Sequence, residues 1–133
     1  MASLSDPAVQ ALLTGPRPNH AVVSTLDEDG SIHSTVVWAS VEDGRLAVNS
    51  AVGRKWPTNL ERNPTVAVLV YDETNPYEYV EVRGTATGTT DGADDHIDRL
   101  AQRYLGGPYP WYGGRDQRRL VLTIAADKVG SMG

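Results

Sequence analysis

Apolar and polar residues alternate with a period of two over most of this chain, and a helical period is confined to three short stretches. The alternation predicts strands at Ala21–Leu26, Ile32–Val41, Arg45–Ser50, Thr65–Tyr71, Tyr79–Thr89 and Arg119–Ala125, with a short tail after the last. In the fourth strand Val66, Val68 and Val70 fall on one face, with Ala67 and Leu69 on the other. In the fifth, Val80 and Val82 alternate with Glu81 and Arg83. Asp27-Glu28-Asp29-Gly30 and Glu42-Asp43-Gly44 are turn signals, so the first three strands read as a meander. Asp72–Tyr77, which contains Asn75-Pro76, reads as a loop.

The first helix opens at Ser5-Asp6-Pro7, carries Val9, Leu12 and Leu13, and ends at Gly15-Pro16. Arg54–Arg62 reads as the second: Pro57 sits in its first turn, where a missing N–H costs little, and the helix must stop before Pro64. The third is capped by Thr90 or Asp91 and runs to Tyr104, with Ala93, Ile97, Leu100 and Tyr104 on a shared face. Leu105–Arg115 is rich in glycine, proline and aromatics and has no period. Six strands with few helices imply a mainly β fold, a small antiparallel barrel spanning residues 1–133 as a single domain.

Composition narrows the function. A formal charge of −5 argues against a nucleic-acid surface. The absence of cysteine removes disulfides, thiolate nucleophiles and cysteine-ligated metals. Only three histidines are present, with His96 on a helix face, so no metal site is expected. Met1–Leu13 lacks basic residues and carries Asp6 and Pro7, unlike a signal peptide, and no run approaches the roughly 20 apolar residues of a membrane span. The expectation is a soluble cytoplasmic domain. In a chain this small, a ligand site often lies between subunits, so a homodimer is expected.

The candidate chemistry centres on Asn49-Ser50-Ala51-Val52-Gly53-Arg54-Lys55, where a strand ends in small residues and two cations open a helix. Small polar groups, free N–H groups and paired charges suit a phosphate. Arg54 and Lys55 are either two solvated surface cations or the anchor of an anionic ligand, and the helix dipole disfavours them unless an anion is present. Asn59, four residues after Lys55, either joins that anchor or is a surface helix residue. The segment His33-Ser34-Thr35-Val36-Val37-Trp38 offers backbone groups and apolar surface to a flat ring, although Trp38 suits core or interface equally and His33 a structural role. Tyr109, Trp111 and Tyr112 either lid an aromatic ligand or pack on a partner, and one of Arg115, Arg118 and Arg119 could approach an anion across an interface. There is no nucleophile elbow, P-loop or Gly-x-Gly-x-x-Gly, so any chemistry is expected to belong to a bound cofactor.

Taken together, the chain resembles the pyridoxamine-phosphate-oxidase-like family of split-β-barrel flavin and deazaflavin oxidoreductases. The likeness is carried by Ala21–Leu26, Asp29–His33, Val36–Trp38, Asp43–Leu46, Gly53–Lys55 through Asn59–Pro64, and Tyr79–Ala86. It implies a six-stranded antiparallel split barrel that dimerises with two equivalent cofactor sites at the interface. Within the family the chain is most similar to the small F420-dependent reductases. The resemblance implies that Ser50, Arg54, Lys55 and Asn59, in the stretch opened by Asn49, hold the phosphate end of coenzyme F420. His33 through Trp38, Val36 and Val37 included, would line the deazaflavin ring. The partner subunit would add residues near Tyr79 and from Tyr109 to Arg118. Trp56-Pro57 departs from the small residues usual after the cation pair, and the aromatic loop is not fixed by the family pattern. FMN is the alternative cofactor, since it also carries a phosphate and a ribityl chain. A non-catalytic F420-binding protein is a third reading, kept by the lack of an identifiable acid–base residue.

Overall fold

The strand expected over 32–41 is broken at Trp38, and that break shapes the fold. The computed structural model describes residues 3–132; Met1, Ala2 and Gly133 lie outside them. The strands are β1 (Ala21–Leu26), β2 (Ile32–Val37), β3 (Ala39–Glu42), β4 (Arg45–Ala51), β5 (Thr65–Asp72), β6 (Asn75–Thr89) and β7 (Arg119–Met132). All pairings are antiparallel, in the order β2-β1-β5-β6-β7-β4-β3. The strands β2 and β3 therefore occupy opposite edges although Trp38 alone separates them in sequence. A sheet meets both conditions only by curling until its edges approach, which makes a split barrel. Among the described residues seven strands replace the six expected. The expected meander becomes two hairpins, β1–β2 and β3–β4, joined at a corner.

A side chain stabilises the corner. Helices α1 (Pro7–Thr14), α2 (Lys55–Arg62) and α3 (Ala93–Leu105) complete the fold. From α3, the Tyr104 hydroxyl donates to the Asn19 carbonyl (2.6 Å) and accepts from the Ala39 N–H (3.1 Å). Its ring stacks on Trp38 at 5.3 Å and 13°. A backbone group left unladdered by the bend is thereby satisfied.

The barrel interior is filled as the alternation predicts: Val23, Val68, Val70, Val80, Val82, Val48 and Ile124 point inward, closed off by Leu12 and Leu13 of α1 and Trp56 and Leu60 of α2. Strand β4 is the exception, buried at every position from Leu46 to Ala51. Its second face is covered too, where Ala47 packs with Ala93 and Val121. A strand covered on both faces has no reason to alternate.

Three further expectations are corrected. The loop expected over 72–77 is a two-residue turn, Glu73-Thr74, after which Asn75 and Pro76 already belong to β6. The Asp72 carboxylate ties the turn by accepting from the Thr74 N–H (2.8 Å) and hydroxyl (2.6 Å). Strand β7 does not stop at Ala125: the longer β6 offers it partners out to Tyr79–Met132, so the expected tail is strand. A bulge leaves Asp127 unpaired between the Arg83–Lys128 and Gly84–Ala126 pairs, and a Cβ on Gly84 would lie 1.9 Å from the Ala125 carbonyl oxygen. Finally, α3 is preceded by Gly92 in the left-handed region (φ 70°), with no side-chain cap from Thr90 or Asp91. Asp94 and Asp95 in its first turn complement the helix dipole instead. Among the described residues no helix is long and apolar enough to cross a membrane.

Removing the Tyr104 hydroxyl strands the Ala39 N–H and the Asn19 carbonyl. Tyr104→Phe should lower unfolding free energy by about 1–3 kcal/mol, measured by urea denaturation; an unchanged midpoint would show that the corner does not depend on it.

Candidate functional site

At the end of β4 the chain turns through Val52 and Gly53 into α2. Gly53 has φ 93°, and a Cβ there would meet open space, so the left-handed backbone and not crowding calls for glycine. Arg54 caps α2 with extended backbone, and its carbonyl accepts from the Thr58 N–H (3.1 Å) and hydroxyl (2.7 Å). Beside this turn lies a cleft of about 380 Å³. Val36, Val37 and Trp38 line it from β2 and the corner, Asn49 and Ser50 from β4, and Arg54 and Trp56 from the start of α2. Ile97 and Leu100 of α3, Tyr109 and Tyr112 of the following loop, and His20, Thr35 and Arg119 complete it. Among the described residues no aspartate or glutamate lines the cleft, although the protein as a whole is acidic. The Ser50 hydroxyl is buried in the lining without a hydrogen-bond partner in the protein.

A buried polar network lies behind the lining. Asn49 Nδ2 donates to the Ala93 carbonyl (3.0 Å) and to His96 Nδ1 (3.0 Å). Its Oδ1 accepts from Arg119 Nε (3.0 Å) and Nη2 (2.8 Å). Because guanidinium only donates, the amide orientation is dictated, and with it the histidine tautomer: Nδ1 accepts, so Nε2 carries the proton and donates to Ser40 Oγ (2.9 Å). Burial pushes the His96 pKa down to about 4, so the ring is neutral at pH 7. Burial is also the main cause that pulls the Arg119 pKa below its ordinary value, and the nearby Arg54 charge acts in the same direction.

The structure thus brings together Val36, Val37, Trp38, Asn49, Ser50, Arg54 and Tyr109 of the residues singled out in the sequence. The other five lie elsewhere. His33 is half-buried, with Nε2 3.0 Å from the Thr35 hydroxyl. Lys55 Nζ lies 3.5 Å from Asp27 Oδ2, in a separate depression with Asn59 and Arg62. Asn59 is buried and committed inward: Nδ2 donates to Thr25 Oγ1 (3.1 Å) and Asp27 Oδ1 (2.9 Å), and Oδ1 accepts from Arg62 (2.9 Å). That hydrogen bond from Asn59, with the charge of Lys55 assisting, holds the Asp27 carboxyl below its usual range. Tyr79 sits on β6 opposite Tyr71 and Met132, and Arg118 lines a surface depression beside the cleft.

Sequence reasoning missed His20, Trp56, Ile97 and Leu100 as cleft residues, whereas Thr35 and Tyr112 lay in segments it named and Arg119 was one of three arginines it offered to an anion. His20 has no sequence signal: its ring meets Tyr104 edge-on at 5.4 Å and its Nδ1 meets the Glu73 carboxylate, contacts that only the fold creates. Arg119 did have one. Strand alternation places it on the face of Val121, which is buried.

A profile of the protein family described as pyridoxamine 5′-phosphate oxidase matches residues 5–133. Among solved structures, an F420 reductase is similar at 26% identity and a TM-score of 0.78, over 91% of this chain and 94% of that one. A conserved hypothetical protein from Mycobacterium tuberculosis is similar at 22% identity and a TM-score of 0.76, over 98% and 86% of the two chains. General Stress Protein 26 from Bacillus anthracis str. Sterne is similar at 24% identity and a TM-score of 0.70, over 94% and 91%. These last two likenesses show the fold. No curated protein matches the chain by sequence.

The His96 shift carries a pH consequence. A histidine whose folded pKa lies below its unfolded value binds its proton more readily when unfolded, so acidification between about 6.5 and about 4 favours unfolding. His96 should therefore titrate near pH 4 by NMR, and its contribution to stability should be complete above pH 6.5 and lost as the pH falls to 4. A midpoint near 6.5 would refute the buried neutral assignment.

Proposed function

The chain belongs to the pyridoxamine 5′-phosphate oxidase family, and from that premise we propose that it is an F420H2-dependent reductase acting on an electron-poor double bond of a flat organic substrate. The observation that carries this reading is the buried Ser50 hydroxyl, without a protein partner, in the same carboxylate-free lining as Arg54. A buried hydroxyl left unpaired costs about 1–3 kcal/mol, which a phosphate oxygen accepting from it would offset. Arg54 supplies the complementary charge, at the start of α2 just after the left-handed turn at Gly53. Val36, Val37, Trp38, Ile97, Leu100 and Tyr109 give the cleft an apolar and aromatic part, with Trp38 held in orientation by its stack on Tyr104. Such surface suits a flat ring and keeps water from it. When bound, a reduced deazaflavin supplies the hydride, and the protein supplies orientation and the dry surroundings. The likeness to an F420 reductase at 26% identity supports deazaflavin over FMN.

We also propose that the chain forms a homodimer across the outer face of β2, β1 and β5. On that face Val36, Val22 and Leu69 fall in one row, and Ile32 and Leu26 in another. Ile32 is 73% and Val36 65% exposed, on an edge strand with a free ladder. Exposed apolar residues on an unpaired edge favour a partner. Val36 belongs to both this face and the cleft, so a second copy seated there would border the ligand.

Fluorescence titration with F420, and with FMN in parallel, tests the cofactor. F420 should bind saturably and FMN weakly; the reverse would move the protein to the flavin branch. Arg54→Gln should weaken F420 by about 10- to 100-fold, whereas Lys55→Ala, which removes a partner of Asp27, should have the smaller effect. A larger loss from Lys55→Ala would overturn the assignment of Arg54 as anchor. Light scattering should give a dimer for the wild type and a monomer for Ile32→Glu; a monomeric wild type would sink the interface.

A further inference from the structure

Arg119 is a buried cation that forms no ion pair among the described residues, with the Asp94 charge acting on it only from beyond contact distance. It is 4% exposed, and all of its hydrogen bonds go to neutral oxygens. Asn49 Oδ1 accepts from Nε and Nη2, while the Tyr109 hydroxyl (3.3 Å) and Gln117 Oε1 (3.0 Å) accept from Nη1. Among the described residues the ion pairs are His20–Glu73, Lys55–Asp27, Arg83–Glu81 and Arg99–Glu42, and none includes Arg119. Burying a guanidinium in this way carries a desolvation cost that neutral acceptors only partly offset.

The arrangement is nonetheless rigid. Ser40 fixes the tautomer of His96, His96 and the Ala93 carbonyl fix the amide of Asn49, and Asn49 holds the Nε–Nη2 edge of the guanidinium. The guanidinium carbon lies over the Tyr109 ring, 5.1 Å from its centroid. Five groups thus orient a charge that none of them neutralises. Arg119 also has a particular place. It lines the cleft together with Arg54 and Ser50, and it lines the neighbouring surface depression with Arg115, Gln117 and Arg118, which Asp94, Asp95 and Asp116 also border. Arg119 is therefore a residue shared by the linings of the two spaces.

We propose that Arg119 is a second anion anchor, and that the cleft takes a ligand with two linked anionic groups: a phosphate at Arg54 and Ser50, and a further phosphate or carboxylate at Arg119. This rests on the reading of the cleft as a phosphate site and deepens it. It requires a ligand that continues past its first phosphate, and it is independent of which ring fills the apolar end. His96 and Asn49 are positioning residues in this scheme, since they act through the guanidinium.

Calorimetric titration of the full chain with orthophosphate, pyrophosphate and tripolyphosphate at low salt tests the proposal. At least one linked phosphate should bind the wild type about tenfold or more tighter than orthophosphate, the gain expected of a further charge-assisted contact. Arg119→Gln should remove that gain while leaving orthophosphate binding in place. Gln117→Glu is the second variant: it keeps the guanidinium and supplies the missing carboxylate beside it, so it should abolish the gain in a folded protein even if Arg119→Gln does not fold. Arg115→Gln, which removes an equal charge from the loop before β7, should retain the gain. Persistence of the gain in Gln117→Glu, or equal loss in Arg115→Gln, would overturn the role of Arg119. Orthophosphate binding with no gain in the wild type would do the same while sparing the phosphate site, and no binding of any of the three would refute both.

Discussion

The closure of the sheet at Trp38 is the constraint on which the other features depend. Two strands adjacent in sequence occupy opposite edges, so the sheet must curl, and the bend must satisfy backbone groups that no ladder reaches. The hydroxyl of Tyr104 takes that task and its ring fixes Trp38. Helix α3 is thereby pinned to the corner, and its inner face, with Ile97 and Leu100, becomes one side of the cleft. The corner makes the barrel, and the barrel together with α3 makes the site.

Electrostatics divides the molecule in a way that net charge conceals. The chain is acidic, yet its aromatic cleft is lined by two guanidiniums and no carboxylate. Some cations elsewhere are paired: Lys55 lies by Asp27 and Arg99 by Glu42. Arg54 and Arg119 form no ion pair among the described residues. The neutral network of Ser40, His96 and Asn49 behind Arg119 keeps that charge in place without cancelling it, because an amide oxygen accepts as a carboxylate does but carries no full charge.

Much of the fold was legible because burial imposes a period. Strands β1 and β5 alternate cleanly and were bounded to within a residue, as was α2, whose limits are set by Arg54 and the proline after Asn63. What misled was local punctuation with tertiary meaning. Trp38 continues an apolar run and carries no breaker, so nothing local marks the corner. Asn75-Pro76 resembles a loop, yet it begins a strand once Asp72 has closed a two-residue turn. The length of β7 was invisible, because it is set by the partners β6 offers and not by its own residues.

By itself the sequence determined the class of the fold, the helix opening at Arg54, and the small residues and cations from Asn49 to Lys55. These follow from periodicity, turn chemistry and the order of residues, which are local properties. Only the tertiary structure decided which cations share a cleft. Lys55 and Asn59 follow Arg54 along the chain, but the helix turns them toward Asp27. Arg119, 65 residues after Arg54, is folded against Asn49 because β4 and β7 pair in that register. Charge neutralisation is a pairwise property of positions in space, and it becomes readable only when the sheet has set which strands are neighbours.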